Sequence, residues 1–247
     1  MKKIISLILL SAIGVIASAQ NTVNIPRPKL DQNSIVKDSS GMIYPYVIWQ
    51  KMLQSGDYAM RTRFGMKDGK PNYDEAEFMI VKQTDQQKME RFAKMGRPAD
   101  SKFFTTGEAI RPFKIRDING KKVDTKDWAG KTVVLNFWFI GCPPCRAEIP
   151  DLNKLALKYK DNPNVIFIAV ALDEDYNVSD FIKANPLAYH VVGDGRSIAG
   201  MFKINLYPTN VVVDKQGKVQ LHYSGGYQNG PYWLDKTIQE SEKSAAL

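Results

Sequence analysis

Cysteine is nearly absent from this chain. Its 247 residues hold two, Cys142 and Cys145, both inside "FIGCPPCRAE" (139–148). Small secreted domains that depend on disulfides carry many cysteines, and a chain of this length can bury a core without them. A disulfide scaffold is therefore excluded. Histidine is as scarce: His190 and His222 are the only two. Their positions do not match the local spacing of a Cys₂His₂ zinc site, and each reads as an ordinary strand or strand-edge residue. Covalent haem attachment needs Cys-x-x-Cys-His, but Arg146 follows Cys145. Beyond the first 17 residues no run approaches the roughly 20 apolar residues of a membrane span. The chain also lacks a dense basic run, although its net charge is +8. Nucleic acid is accordingly not an expected partner. No internal repeat or low-complexity tract is present.

What is there begins with an export signal. Lys2 and Lys3 precede the apolar stretch 4–17, and Ala17-Ser18-Ala19 supplies small residues for cleavage before Gln20. Residues 1–19 thus read as a signal peptide cleaved after Ala19, which places the mature chain in the periplasm or outside the cell. The uncleaved anchor is the alternative. Removing these residues takes away two lysines and no acid, leaving a net charge of +6.

Two regions follow. Residues 20–105 read as a small α+β region of unassigned role: a polar lead-in over 20–40, a helix over 46–54, strands over 58–66 and 77–82 joined at "KDGK", and a helix from Asp85 ended by Gly96 and Pro98. Seven of the nine methionines lie between Met42 and Met95. Soft thioether ligands for Cu(I) and filling of an irregular core are the two readings of that cluster. The absence of a compact Met-x-x-Met run favours the core. Residues 96–108 read as a linker. From 106 to 247 the pattern sharpens: a hairpin turning at Asn119-Gly120, β-branched runs at 131–140 and 164–173, helices after each, a short strand "YHVV", helical "RSIAGMFKI", a late hairpin over 209–225 and a closing amphipathic helix. Strands alternating with helices predict an α/β layer, and the late hairpin makes its sheet mixed.

The two cysteines sit where the strand 131–140 passes through a short turn into a helix. A thiol at that helix N-terminus faces free N–H groups and the positive end of the macrodipole. Such positions lower a thiol pKa from about 8.5 into the range of about 3.5–7.5. The pattern therefore predicts a redox dithiol. Cys142 is the ionised nucleophile at the solvent-facing tip, and Cys145, one turn deeper, resolves the mixed disulfide. Pro143 and Pro144 suit the first helical turn, where a missing N–H costs little.

"VVLNFWFIGCPPCRAEIP" (133–150) followed by "YPT" (207–209) resembles the thioredoxin superfamily, and within it the extracytoplasmic TlpA/ResA-like branch. The resemblance covers roughly residues 108–247. It implies a thioredoxin-like mixed sheet flanked by helices, with no cofactor beyond the redox-active pair Cys142–Cys145 and no metal. It implies a cis bond before Pro208, which would face the cysteines and help a substrate strand dock, with Tyr207, Thr209, Pro143 and Pro144 contacting substrate. Pro150 matches a proline that bends the active-site helix. Many thioredoxins carry a buried Asp six residues before the first cysteine. Here that residue is Asn136, and the branch pairs such an Asn with a Glu matching Glu148. A buried Glu148 would shuttle the proton that Cys145 must lose; the alternative is a solvated helix Glu. One departure is Gly141, where thioredoxins usually have Trp. Phe139 or Trp138 would have to replace that wall.

The activity implied is thiol–disulfide exchange on exported proteins, including cytochrome c maturation, with recharging by a membrane-embedded electron donor. Two other readings stay open at this point. One is copper handling by Cys142, Cys145 and a third ligand from His190, His222 or a methionine. The other is a partner-binding module whose function lies in 20–105. A peroxidase is disfavoured, because "CPPC" does not match Pro-x-x-x-Thr-x-x-Cys.

Overall fold

A computed structural model describes residues 28–244, and the expected signal segment 1–19 lies outside them. The first sheet has four strands in the order β2-β1-β4-β3: Val36–Lys37 (β1), Ile43–Tyr44 (β2), Tyr58–Lys67 (β3) and Lys70–Lys82 (β4). Two helices accompany it, Tyr46–Gln54 (α1) and Asp85–Lys94 (α2). A reciprocal cap between Thr84 and Gln87 starts α2. The structure corrects the sequence reading twice here. The polar lead-in contributes β1, parallel to β4, and β4 starts at Lys70 rather than Glu77. Residues 70–76 carry no apolar alternation; on this stretch β4 pairs with β3 alone among the described strands. Val36, Trp49 and Ile80 form the buried centre, with Met52 and Met60 packed on it, while Met42, Met66 and Met89 remain exposed. Methionine thus fills this core only in part.

The second unit opens with the hairpin Lys114–Arg116 (β5) and Lys122–Asp124 (β6), whose Gly120 takes a φ of 78°. The central sheet follows in the order β11-β10-β7-β8-β9. Its strands are Thr132–Trp138 (β7), Val165–Ala171 (β8), His190–Val192 (β9), Thr209–Val213 (β10) and Val219–Ser224 (β11). β7, β8 and β9 run parallel; β10 and β11 are antiparallel, so the sheet is mixed. Pro143–Lys158 (α3), Asp175–Ala184 (α4), Arg196–Met201 (α5) and Gly230–Lys243 (α6) complete the layers. The α5 helix is shorter than the sequence predicts: Lys203 takes a φ of 56°, which ends the helical path.

Every residue of β7 is buried. Val133, Leu135 and Phe137 pack on one side with Ile168, Val170, Val211 and Val213; Val134 and Trp138 pack on the side of α3 and α6. A strand covered on both faces needs such an unbroken β-branched and aromatic run. Asp235 of α6 ties that helix to the end of α3, accepting from Lys158 Nζ and from the Tyr159 hydroxyl at 2.7 Å.

Residues 96–108 are not a free linker. Ser101 N–H reaches His222 O at 3.3 Å, Gly107 N–H reaches Val219 O at 2.7 Å, and Val219 N–H reaches Glu108 O at 2.9 Å. The segment lies along the outer edge of β11 and satisfies backbone groups that an edge strand leaves open. Phe103 and Phe104 pack on the core beneath it. His190 and His222 lie in β9 and β11.

Leu135 sits at the centre of this core with none of its surface exposed. Leu135→Ala is expected to lower unfolding free energy by about 2–5 kcal/mol, whereas Val47→Ala on exposed α1 changes it by less than about 1 kcal/mol. Urea titration of both variants checks the contrast, and equal losses would contradict the assigned core.

Candidate active site

The chain leaves β7 at Trp138 and is held at once. Ile140 N–H donates to the Asp173 carboxylate at 2.7 Å, and Leu172 N–H donates to Trp138 O at 3.0 Å. The turn then delivers Cys142 to the residue before α3, with Pro143 and Pro144 in the first helical positions. Cys142 and Cys145 are joined by a disulfide. The Cys145 N–H donates to Cys142 Sγ at 3.2 Å, and Arg146 N–H donates to Cys142 O at 3.1 Å. The helix thus starts by aiming an N–H at the outer sulfur. The expected solvent-open sulfur is corrected, however: in the disulfide form Cys142 is 3 % exposed and Cys145 1 %. Both pack in a cluster with Trp138 and Ile149, flanked by half-buried Phe139, Ile140 and Tyr207. Pro143 and Pro144 are exposed beside them. The helix runs on through Pro150, which has no N–H to offer Arg146 O.

Glu148 lies one turn beyond Cys145 on α3. Asn136 Nδ2 donates to Glu148 Oε1 at 2.7 Å, and Asn210 Nδ2 donates to Oε2 at 3.2 Å and Oε1 at 3.3 Å. The two amides also bond each other, Asn136 Nδ2 to Asn210 Oδ1 at 2.9 Å. Glu148 as a residue keeps some exposed surface, but its carboxyl lies enclosed against the two asparagines, and that local burial sets its proton affinity. Desolvation lifts the carboxyl from an ordinary 4.5 up to about 8, against the opposing pull of the Asn136 and Asn210 hydrogen bonds. Sheet register explains the cradle. Tyr223, Asn210, Asn136, Ala169 and Val191 form one row across all five strands. Among the described residues the buried Tyr189 and Tyr223 hydroxyls have no hydrogen-bond partner, and burial followed by the Glu148 charge raises both phenols.

The Tyr207–Pro208 bond is cis. Pro208 is buried and its carbonyl accepts from Gly225 N–H at 2.8 Å. Tyr207 packs against the cysteine cluster, and its ring meets Phe139 edge-on at 5.5 Å. Among the described residues, neither the backbone N–H nor the C=O of Tyr207 has a partner. Thr209 is placed otherwise than expected. It is fully buried, and its hydroxyl bonds Leu206 O at 2.7 Å and the Ser224 hydroxyl at 2.6 Å. It begins β10, between β7 and β11, and has no face to offer a substrate. Trp138 is core, so Phe139 is the aromatic beside Gly141: a Cβ on Gly141 would meet its ring at 3.6 Å. An open groove of about 610 Å³ runs from Gly141 and Pro143 past Arg146 and Pro150 to Pro186.

Asn210 and Asp173 are the residues that sequence reasoning missed. Asn210 follows directly on "YPT", and a polar residue inside a buried β-branched run was its available signal. Asp173 gave none, because it acts across β7 and β8. His190 Nδ1 lies 3.2 Å from the Asp117 carboxylate, and His222 Nδ1 contacts Ser101 N and Oγ at 3.1 and 3.0 Å. Among the described residues no group of three His, Cys, Asp or Glu side chains could hold a metal ion.

Comparison with known proteins agrees with this geometry. A family model described as the AhpC/TSA family matches residues 106–222. Thiol-disulfide oxidoreductase ResA of Bacillus cereus is 39% identical over 123 residues, spanning 49% of this chain and 70% of that protein. ResA of Halalkalibacterium halodurans is 30% identical over 129 residues, spanning 52% of this chain and 73% of that protein. Among solved structures, a Chlorobium tepidum chain assigned as the thiol:disulfide interchange protein DsbE superposes with a TM-score of 0.52 at 26% identity, covering 56% of this chain and 98% of that one. A Bacteroides thetaiotaomicron chain assigned as a protein disulfide isomerase superposes with a TM-score of 0.54 at 29% identity, covering 57% and 92%. With a disulfide at the head of a helix, on this sheet and in this company, the chain belongs to the ResA-like thiol-disulfide oxidoreductases of the AhpC/TSA thioredoxin-like family.

Proposed function

We propose that the Cys142–Cys145 pair of "CPPC" reduces or rearranges disulfides in exported protein substrates, in the periplasm or outside the cell, with cytochrome c maturation as one such setting. A membrane-embedded electron donor would restore the dithiol. The observation that carries this reading is the Cys145 N–H directed at Cys142 Sγ at the start of α3, one turn from the enclosed Glu148 carboxyl.

In the reduced enzyme the Cys142 thiolate attacks one sulfur of the substrate disulfide. That S–S bond breaks, and the first substrate thiolate leaves and takes a proton from solvent. Cys145 then gives its proton to Glu148 and attacks Cys142 Sγ. The mixed disulfide breaks, the second substrate thiolate leaves, and two electrons have passed to the substrate. The disulfide form keeps the proton on Glu148, as its raised pKa requires. When the donor reduces the pair, Glu148 returns that proton to the departing Cys145 thiolate. An extended substrate segment fits beside Tyr207, whose unpaired backbone N–H and C=O provide one strand's worth of pairing, while exposed Pro143 and Pro144 border the other side.

Cys145→Ala is expected to accumulate mixed disulfides with its clients, and Cys142→Ala to accumulate far fewer; non-reducing gels followed by mass spectrometry of the captured proteins read this out. Equal capture by the two variants would refute Cys142 as the nucleophile.

The Glu148 carboxyl also makes stability depend on pH. Its folded pKa of about 8 exceeds the ordinary 4.5, so between these values the folded protein binds more protons than the unfolded chain. Stability is then fully present below about 4.5 and falls as pH rises towards 8. Glu148→Gln should remove that slope and stabilise the oxidised protein at pH 9 by on the order of a few kcal/mol. It should also slow turnover by about 10²-fold or more, since an amide cannot carry the proton. Parallel stability–pH curves for the two proteins would rule out the enclosed carboxyl.

A further inference from the structure

We propose that the N-terminal region is part of the active-site frame and positions the two active-site prolines through loop 225–229. One end of this loop lies on the site. Gly225 N–H holds the carbonyl of cis Pro208 at 2.8 Å, and Gly225 takes a φ of 103° to do so. A Cβ on Gly226 would stand 3.2 Å from Pro144 Cβ, so the loop backbone rests against the proline between the two cysteines. The other end is gripped by the N-terminal region. Gln228 Nε2 donates to Leu53 O of α1 at 2.8 Å, and Asn229 Nδ2 donates to Gly96 O, beyond α2, at 2.9 Å. Arg91 of α2 joins the two sides, donating to Gly56 O at 2.8 Å and to Gln228 Oε1 at 3.4 Å. Its guanidinium lies 4.7 Å from the ring centre of buried Phe92.

A second grip reaches the catalytic helix. Lys88 of α2, its side chain 14 % exposed, pairs with Asp57 at 2.8 Å and stands 3.8 Å from Asp151 of α3, three residues past Glu148. The region therefore touches the site from both sides through polar contacts of fixed geometry. Pro144 stands in the chain between the two cysteines, in the first turn of α3, and Pro208 lies next to the unpaired backbone of Tyr207. A shift of loop 225–229 moves both, and small displacements of a reacting group are costly to rate. Gln228 and Arg91 are positioning residues: they act through the loop and touch no sulfur.

Full-length Arg91→Ala, Arg91→Lys, Gln228→Ala and Gly226→Val test this. Thiolate absorbance of the reduced protein at acid to neutral pH gives the Cys142 titration, insulin-disulfide reduction gives kcat and KM, and near-UV circular dichroism with Tm reports folding. Arg91→Ala and Gln228→Ala are expected to keep the native dichroism, shift the Cys142 midpoint by about half a pH unit or more and lower kcat/KM about three- to tenfold. Arg91→Lys should recover part of the loss. Gly226→Val should act in the same direction, and the Arg91→Ala/Gly226→Val double variant should lose less than the sum of the single losses. A lower Tm with unchanged midpoint and kcat/KM in both Arg91→Ala and Gln228→Ala would overturn the proposal, as would additive losses. Should Arg91→Ala fail to fold, Gln228→Ala decides alone. If the unaltered protein reduced no insulin, the proposed function would fail, whereas the thiolate titration would still answer this question.

Discussion

The site depends on one carboxyl group enclosed without a cation. Among the described residues Glu148 has no ion-pair partner; two amides are its company. Neutral donors return only part of what a carboxylate loses on leaving water, so in the disulfide form burial wins and favours the protonated carboxyl. A lysine or arginine in place of either asparagine would reverse that outcome by favouring the ionised form. An aspartate at position 136 would set two acids against each other. The Asn136–Asn210 pair thus holds the Glu148 carboxyl without forcing it to ionise.

Sheet register makes the cradle possible. Asn136 and Asn210 are direct partners on neighbouring antiparallel strands, and Tyr223 continues the row beyond Asn210. On the other side the row falls to Ala169 and Val191. The polar half of this row is local. The next row facing α3 and α6 carries Val134, Phe167, Val212 and Leu221, and the opposite face of the sheet carries Leu135, Phe137, Val170 and Val211. Two asparagines in a buried β-branched sheet contradict strand propensity. Such local contradictions are expected where function overrides stability.

This distinction also explains what could be read from the chain alone. The dithiol, the strand before it, the helix after it and the alternation of the second unit are short-range patterns, each contained within about fifteen residues. The mixed sheet followed from a hairpin signal near the end of the chain. Thr209 was misplaced because adjacency to Pro208 is a fact of sequence, while burial between two strands is a fact of sheet order. Asp173, Asn210 and the run of 96–108 along β11 are likewise set by neighbours 33 to 121 residues away. Loop 225–229 carried glycines that mark a turn, but nothing in "GGYQN" names Leu53, Gly96 or Pro144 as its contacts.

The near-closure of Cys142 sharpens the electrostatic question at the helix tip. A helix N-terminus favours an anion by about 0.3–1 kcal/mol when exposed and up to about 2 kcal/mol in a partly buried setting, equivalent to roughly one and a half pKa units at most. Apolar neighbours push a thiol the other way, and Cys142 has Trp138, Ile149 and Tyr207 in its cluster. The macrodipole is therefore a modest contribution, opposed by the apolar packing around this sulfur. A directed donor adds to the helix end: in the disulfide form the Cys145 N–H stands 3.2 Å from Cys142 Sγ. Hydrogen bonds to ionised groups contribute about 1.5–3 kcal/mol, as much as or more than a helix end. The rigid Pro143-Pro144 step matters for the same reason: it fixes the first helical turn, and with it the direction of the Cys145 N–H.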